Sequence, residues 1–331
     1  MCAGSQIQMD VNVVGQEITL TGRAAAEPTA PILTEDANLA GIVVRGVRIT
    51  KPLEHALRSV TDRNLDLKRS EFIDCDFEIL DDKSREPLPD ACGTAFPTDV
   101  MRESRVSILR RCSYGGYRRN ADMLFADLFC ALRINLEIIH LTLDGMIFQF
   151  HHESLEKFTQ ALCSDTTLRE LVLVNNVFTG LNWLTEALIS SRCHINNLVL
   201  DHFTEDRSEA VPGFLEFMPD FRRLEYVQLN HHACLDVPYG FAMPPKIRRF
   251  DARNSKLTED AIIRILEAAA VSDRLEELFL GPLSNYPART RHGCNPITDA
   301  IGKLLRSDAP LTTLVFQTPV GVSEAFVLDG K

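Results

Sequence analysis

The stretch TLRELVLVNNVF, residues 167–178, carries apolar side chains at Leu168, Leu171, Leu173 and Phe178, with Asn176 between them. Gaps of three and then two match neither a helix face, which needs apolar residues three and four apart, nor the strict alternation of a half-buried strand. Working outward, the same spacing returns. It appears as Ile138, Leu141 and Leu143, as Ile195, Leu198 and Leu200, and as Leu224, Val227 and Leu229. It continues as Ile247, Phe250 and Ala252, with Ser255 where Asn176 stands, then as Leu275, Leu278 and Leu280, and closes with Leu311, Leu314 and Phe316. The central apolar positions are 141, 171, 198, 227, 250, 278 and 314, so the unit recurs every 23 to 36 residues. Self-similarity at that period marks a solenoid of stacked units.

Each unit reads as a short strand with two apolar residues turned inward, such as Leu171 and Leu173. The preceding Leu168 fills the turn, and the later Asn or Ser meets backbone groups where the chain leaves the strand. Helical segments follow. ESLEKFTQAL places Leu155, Phe158 and Leu162 on one face, WLTEALIS places Leu184, Leu188 and Ile189, and TEDAIIRILEAA places Ile262, Ile265 and Leu266 behind a capping Thr258. One unit cannot cover its own apolar face, so neighbours must stack.

The motif LxxLxLxxN/C-x-L, most complete in LRELVLVNNVF, resembles the leucine-rich repeat family. The repeat length of about 28 residues is similar to its ribonuclease-inhibitor-like class. The resemblance implies an α/β horseshoe with a parallel inner sheet, outer helices and an N-terminal β-hairpin cap. It is clear from 136 to 317 and fainter in 39–50, 63–72 and 105–112. The expected organisation is a cap over 1–38, a solenoid over 39–317 with an acidic, proline-containing insertion at 74–104, and a cap or tail over 318–331. The cap rests on alternation at Ile7, Met9, Val11 and Val13, broken at Gly15 before Ile18 and Leu20. EAFVLDGK offers a last edge strand, and 280–298 reads as a second loop insertion.

The chain has 331 residues, a formal charge of −11 and 45% hydrophobic residues, a globular composition. The acidic balance argues against general attraction to nucleic acid or anionic membrane. No apolar run approaches the roughly 18 residues of a membrane helix. The first residues lack a basic segment followed by an apolar core, so no secretory signal is expected. Nine scattered cysteines, several in apolar segments, suit free thiols and a cytoplasmic address.

No catalytic constellation stands out: the chain lacks a phosphate loop, GxSxG, HExxH and CxxC. His231, His232 and Cys234 are close in sequence, but adjacent strand residues point to opposite faces and seldom share a metal. Cys163/Asp165 and Cys234/Asp236 echo the CxD of bacterial leucine-rich-repeat ubiquitin ligases without the helical domain that carries it there. The segment 110–119, with four arginines and two tyrosines, is a candidate contact for protein or RNA but reads first as a solvated loop. Arg249 or Arg253 could be offered as a GTPase-activating finger, although nothing local marks either.

Binding remains, so no cofactor and no enzymatic activity are expected. Resemblance to the family implies a concave sheet lined by the residues flanking the central apolar pair. Val172, Val174 and Val199, with Asp201, form one group there. Tyr226, Arg249, Arg253 and Phe279 form another, of residue types that dominate interfaces. All these positions are expected to face solvent, and folding is expected not to need them. The reading is a non-catalytic scaffold or adaptor, binding a protein partner on the concave face, in an intracellular setting, with the cytoskeletal or ciliary assemblies that family members occupy as what the resemblance implies. The alternative is an enzyme regulator, either a GTPase-activating protein or a ubiquitin-ligase substrate receptor.

Overall fold

The computed structural model describes residues 10–14, 17–21, 39–61, 67–77, 105–110, 112–114, 132, 138–145, 152–164, 167–176, 180–201, 210–232, 235–282, 296–317 and 323–327. The chain divides into two compact units, residues 1–169 and 170–331.

In chain order the first unit contains β1 (Asp10–Val14), β2 (Glu17–Thr21), β3 (Gly41–Arg45), β4 (Arg48–Ile49), α1 (Lys51–Thr61), β5 (Arg69–Ile73), β6 (Asp76–Phe77), β7 (Val106–Arg110), β8 (Ser113–Tyr114), β9 (His140–Asp144) and α2 (His152–Leu162). β1 and β2 form the expected antiparallel hairpin. From β2 the pairing turns parallel and runs through β3, β5 and β7 to β9. β4, β6 and β8 make a small second parallel sheet. β6 lies inside the expected insertion, so the repeat persists to Phe77; residues 78–104 lie outside the described residues, as do 115–119 of the arginine-rich segment.

The second unit contains β10 (Glu170–Val174), α3 (Asn182–Ile189), β11 (Asn197–Asp201), α4 (Ala210–Glu216), a 3-10 turn (Met218–Asp220), β12 (Tyr226–Asn230), β13 (Arg249–Ala252), α5 (Glu259–Ala270), β14 (Glu277–Leu280), α6 (Pro296–Arg306), β15 (Thr313–Gln317) and β16 (Ser323–Val327). β10 to β15 pair in parallel in sequence order, and β16 closes antiparallel on β15. The register aligns Leu171, Leu198, Val227, Phe250, Leu278 and Leu314 in one row. Each of them is buried, as are Leu168, Ile195, Leu224, Ile247, Leu275 and Leu311. Phe316 is only half-buried.

Successive repeats are stitched at both strand ends. At entry, one carbonyl accepts two amides of the next repeat: Asn196 O takes the N–H groups of Glu225 and Tyr226, and Glu225 O takes those of Arg248 and Arg249. At exit the chain turns through the left-handed region, at Gly46 (φ 63°), Asp74 (52°) and Gly145 (63°) in the first unit and Asn175 (52°) and His231 (57°) in the second. Gly, Asp and Asn tolerate that region best. The turned amides of Gly46, Asp74 and Asn175 donate across to Ile73, Arg110 and Asp201, each at 2.9 Å.

One position further stands the buried polar residue of the motif. Ser255 Oγ donates to Leu229 O at 2.7 Å and accepts from His232 N at 3.0 Å. Cys75 and Cys112 fill the same place in the first unit and donate to Val44 O and Phe72 O, both at 3.3 Å. These thiols serve the backbone of the preceding repeat. Burial and contact with Cys75 raise the Cys112 thiol well above its ordinary value, which keeps it protonated.

Helices cover the other side of the inner strand residues. Thr258 Oγ1 accepts from Ala261 N at 3.0 Å as the cap of α5, and Ile262, Ile265 and Leu266 are buried. In α3, Leu184 and Leu188 are buried, but Ile189 is exposed: at 100° per residue it has turned past the packed face.

Candidate functional site

By strand alternation, the side of the second-unit sheet away from the leucine row carries positions 170, 172 and 174, then 197, 199 and 201, 226, 228 and 230, 249 and 251, 277 and 279, and 313, 315 and 317. Most of these positions are half-buried and four are closed, which corrects the expectation that every such position faces solvent. Val199 and Val315 are buried, as are Asn230 and Asp251. Strands about 4.8 Å apart let these side chains cover one another. Val172 and Val174 are half-buried beside Val199, and Asp201 accepts from the exposed His231, with Nδ1 to Oδ1 at 2.6 Å.

The four residues Tyr226, Arg249, Phe279 and Arg253 come together across β12, β13 and β14. Register sets Tyr226 beside Arg249, and Phe279 beside Asp251. The Arg249 guanidinium lies 5.1 Å from the Tyr226 ring centroid and 4.6 Å from that of Phe279. The Arg253 guanidinium lies 4.4 Å from Phe279. Rings and cations therefore alternate, Tyr226–Arg249–Phe279–Arg253, each pair within reach of the ring quadrupole.

Beneath this ladder sits Asp251, whose side chain is 0% exposed. Arg253 donates to it through Nε (3.0 and 3.2 Å) and Nη2 (2.7 Å), its backbone amide donates at 3.2 Å, and Arg249 Nη2 donates at 3.3 Å. Arg249 also pairs with Glu277 at 3.4 Å. The carboxylate holds both guanidinium groups in place, and its hydrogen bonds raise the Arg253 pKa further. Partial burial, then the Asp251 charge, raise the Tyr226 phenol above its usual value; its hydroxyl is hydrogen-bonded to Gln228 Oε1. Asp251 is thus the residue that sequence reasoning passed over.

Gly281, the residue after Leu280 at the end of β14, has no side chain to offer and could not carry one. A Cβ there would lie 1.9 Å from Ser255 O and 2.6 Å from Ala252 O. The repeats approach too closely at that point for anything but glycine.

The remaining candidates separate. His231 is exposed and His232 buried; Cys234 lies outside the described residues, among which no cluster of three metal-ligating side chains occurs. No described helix is long and apolar enough to cross a membrane. Away from the sheet face, a cleft of about 490 Å³ opens between charged groups, including Lys246, Arg248 and Arg274 against Glu225, Asp273 and Glu276. Arg264 of α5 donates to Val237 O and lies 3.8 Å under the exposed Tyr239 ring, so it fastens the 235–240 segment and is not a free surface charge.

No family model matches the chain, and no curated protein does. Among solved structures it is similar to an internalin from Listeria monocytogenes, at 12% identity over 90% of this chain and 79% of that one, with a TM-score of 0.39. It is also similar to a chain of the Toll–Spatzle complex from Drosophila, at 12% identity over 86% of this chain and 43% of that one, with a TM-score of 0.36. The assignment of fold rests on the chain itself: a recurring leucine motif, parallel strands paired in sequence order, and helices between them make this an α/β fold of stacked strand–helix repeats, the architecture expected of a leucine-rich-repeat solenoid.

Proposed function

We propose that the chain is a non-catalytic interaction scaffold or adaptor that binds a protein partner on the open face of the second-unit sheet. The observation that supports this most is the Tyr226–Arg249–Phe279–Arg253 ladder, prearranged over a buried carboxylate on a surface that the leucine row does not use. Arginine and aromatic side chains held in one geometry lose little entropy on docking, and such residues dominate interface energetics. Val172, Val174, Val199 and Asp201 extend the same face over two neighbouring strands. In this reading the chain is a cytoplasmic subunit of a larger assembly, of the cytoskeletal or ciliary kind in which similar repeats serve, and its helix-bearing repeats are of the ribonuclease-inhibitor-like class. A role as a GTPase-activating finger is disfavoured for Arg249 and Arg253, because both donate to Asp251.

The test is capture from native extract followed by mass spectrometry, comparing wild type with F279A and with D251A/R253A. The arginine is removed together with its carboxylate so that no charge is left buried. Proteins retained by the wild type should bind at least about tenfold more weakly to both variants, as expected for truncation of an interface hot spot. The control is E267A/K303A, which removes an exposed ion pair of 3.4 Å between α5 and α6 and should leave capture unchanged. Loss in the helix variant with retention in the sheet variants would place the interface elsewhere and overturn the reading.

A further inference from the structure

We infer that the partner presents an aromatic side chain, which docks on the guanidinium of Arg253; this rests on the partner-binding reading above and specifies its chemistry. The ladder is incomplete at one end. Among the described residues Arg249 has a ring on two sides, Tyr226 and Phe279, whereas Arg253 has only Phe279. The Arg253 side chain remains 40% exposed. Its in-plane donors Nε and Nη2 are both committed to Asp251, and Nη1 alone has no partner among the described residues. A newcomer therefore meets the flat face of a cation more than its hydrogen-bonding fork.

Charge points the same way. The two guanidinium groups are offset by Asp251 and Glu277, and Glu170 and Asp201 lie on the same face. A carboxylate would approach an arginine already neutralised, beside further acids. A ring brings no charge, and cation–π attraction to Arg253 survives because the guanidinium stays fully protonated. Arginine stacks in this way through its planar, weakly hydrated group, which lysine lacks.

The experiment uses the full chain and two probes, N-acetyltryptophanamide and N-acetylleucinamide, with the side-chain Nε–H resonances of arginine followed by NMR. The indole amide should shift the Arg253 resonance in wild type and the leucine amide should not. No shift at Arg253, or equal shifts from the two probes, would overturn the inference. A random peptide library selected on the same chain separates it from the parent reading. Selected peptides rich in Trp or Tyr that bind about fivefold more weakly to R253K, which keeps the charge and loses the plane, support it. Peptides that lose binding in F279A but show no aromatic preference, or bind R253K as they bind wild type, would sink the aromatic inference and leave the face as the site. Peptides indifferent to both variants would sink both.

Discussion

Asp251 and Arg253 allow the site's construction to be tested without a partner. Asp251 is fully buried and accepts from Arg253 at 2.7 to 3.2 Å, whereas the Arg253 side chain is 40% exposed. That asymmetry predicts unequal single-variant costs. In D251A the two guanidinium groups can turn to water, so the loss is about 1.5 kcal/mol, the lower end for charged hydrogen bonds. In R253A the carboxylate stays buried with only Arg249 Nη2 at 3.3 Å and the backbone amide of position 253 at 3.2 Å, and leaving a buried charge so poorly compensated costs about 3 kcal/mol. D251A/R253A removes both groups, and the cycle should return a coupling of at least about 1.5 kcal/mol. Urea unfolding followed by circular dichroism measures all four proteins, with separate transitions fitted separately where the two units unfold apart. If R253A cost no more than D251A, or the coupling fell below about 0.5 kcal/mol, the carboxylate would not be what fixes the arginines. The same logic predicts that folding does depend on this face: Arg253 is at once a surface residue and the cover of a buried charge.

Three further outcomes are expected. G281A should lower stability by about 1–3 kcal/mol in thermal melts, because its Cβ would collide with the carbonyl oxygens of Ser255 and Ala252; an unchanged melt would mean that the repeats separate at no cost. L198D places a carboxylate in the fully buried leucine row and should remove several kcal/mol along with cooperative unfolding, so a variant as stable as wild type would refute the stacking of repeats. The raised Tyr226 phenol favours the neutral form in the folded state, so its contribution is intact below the ordinary value near 10 and is lost as pH rises through the raised one. Alkaline ultraviolet titration of wild type against Y226F should therefore show one tyrosine ionising late, and a Tyr226 that ionised with the exposed phenols would contradict its burial.

The repeats that read clearly are those whose inner strand positions are both large and apolar. Leu171/Leu173, Leu198/Leu200 and Leu278/Leu280 announce themselves, and each is buried in the row expected of it. β5 and β7 were faint for a physical reason. Their first inner positions are Ser70 and Ser107, which sit in the same register as Ile42 and Leu141. The two hydroxyls are buried and hydrogen-bonded to each other at 3.1 Å, so each satisfies the other where leucines would pack. A serine at a core position is legible only with its partner, which stands 37 residues away. The exits from the strands hid similarly. Gly46, Asp74, Asn175 and His231 share a backbone conformation and not a residue type.

At the site, the sequence carried more than composition reveals. In RFDAR, residues 249–253, alternation sets Arg249, Asp251 and Arg253 on one face, and Asp251 is the only acid at the position between the two inner residues in any of the seven clear repeats. What alternation cannot supply is depth. Whether an acid on a sheet face is solvated or buried depends on its cross-strand neighbours, here Gln228 and Phe279, and on whether the arginines fold back over it. Folding back is favoured because the carboxylate offers two acceptors to the Arg253 fork and because Phe279 gives both guanidinium groups a ring to lie on. Each element needs the others: without Asp251 the two cations would repel and turn to water, and without the cations Asp251 could not be buried. A patch built this way is held in place by its own contacts, so both guanidinium groups lie flat against Phe279 and are tied to Asp251.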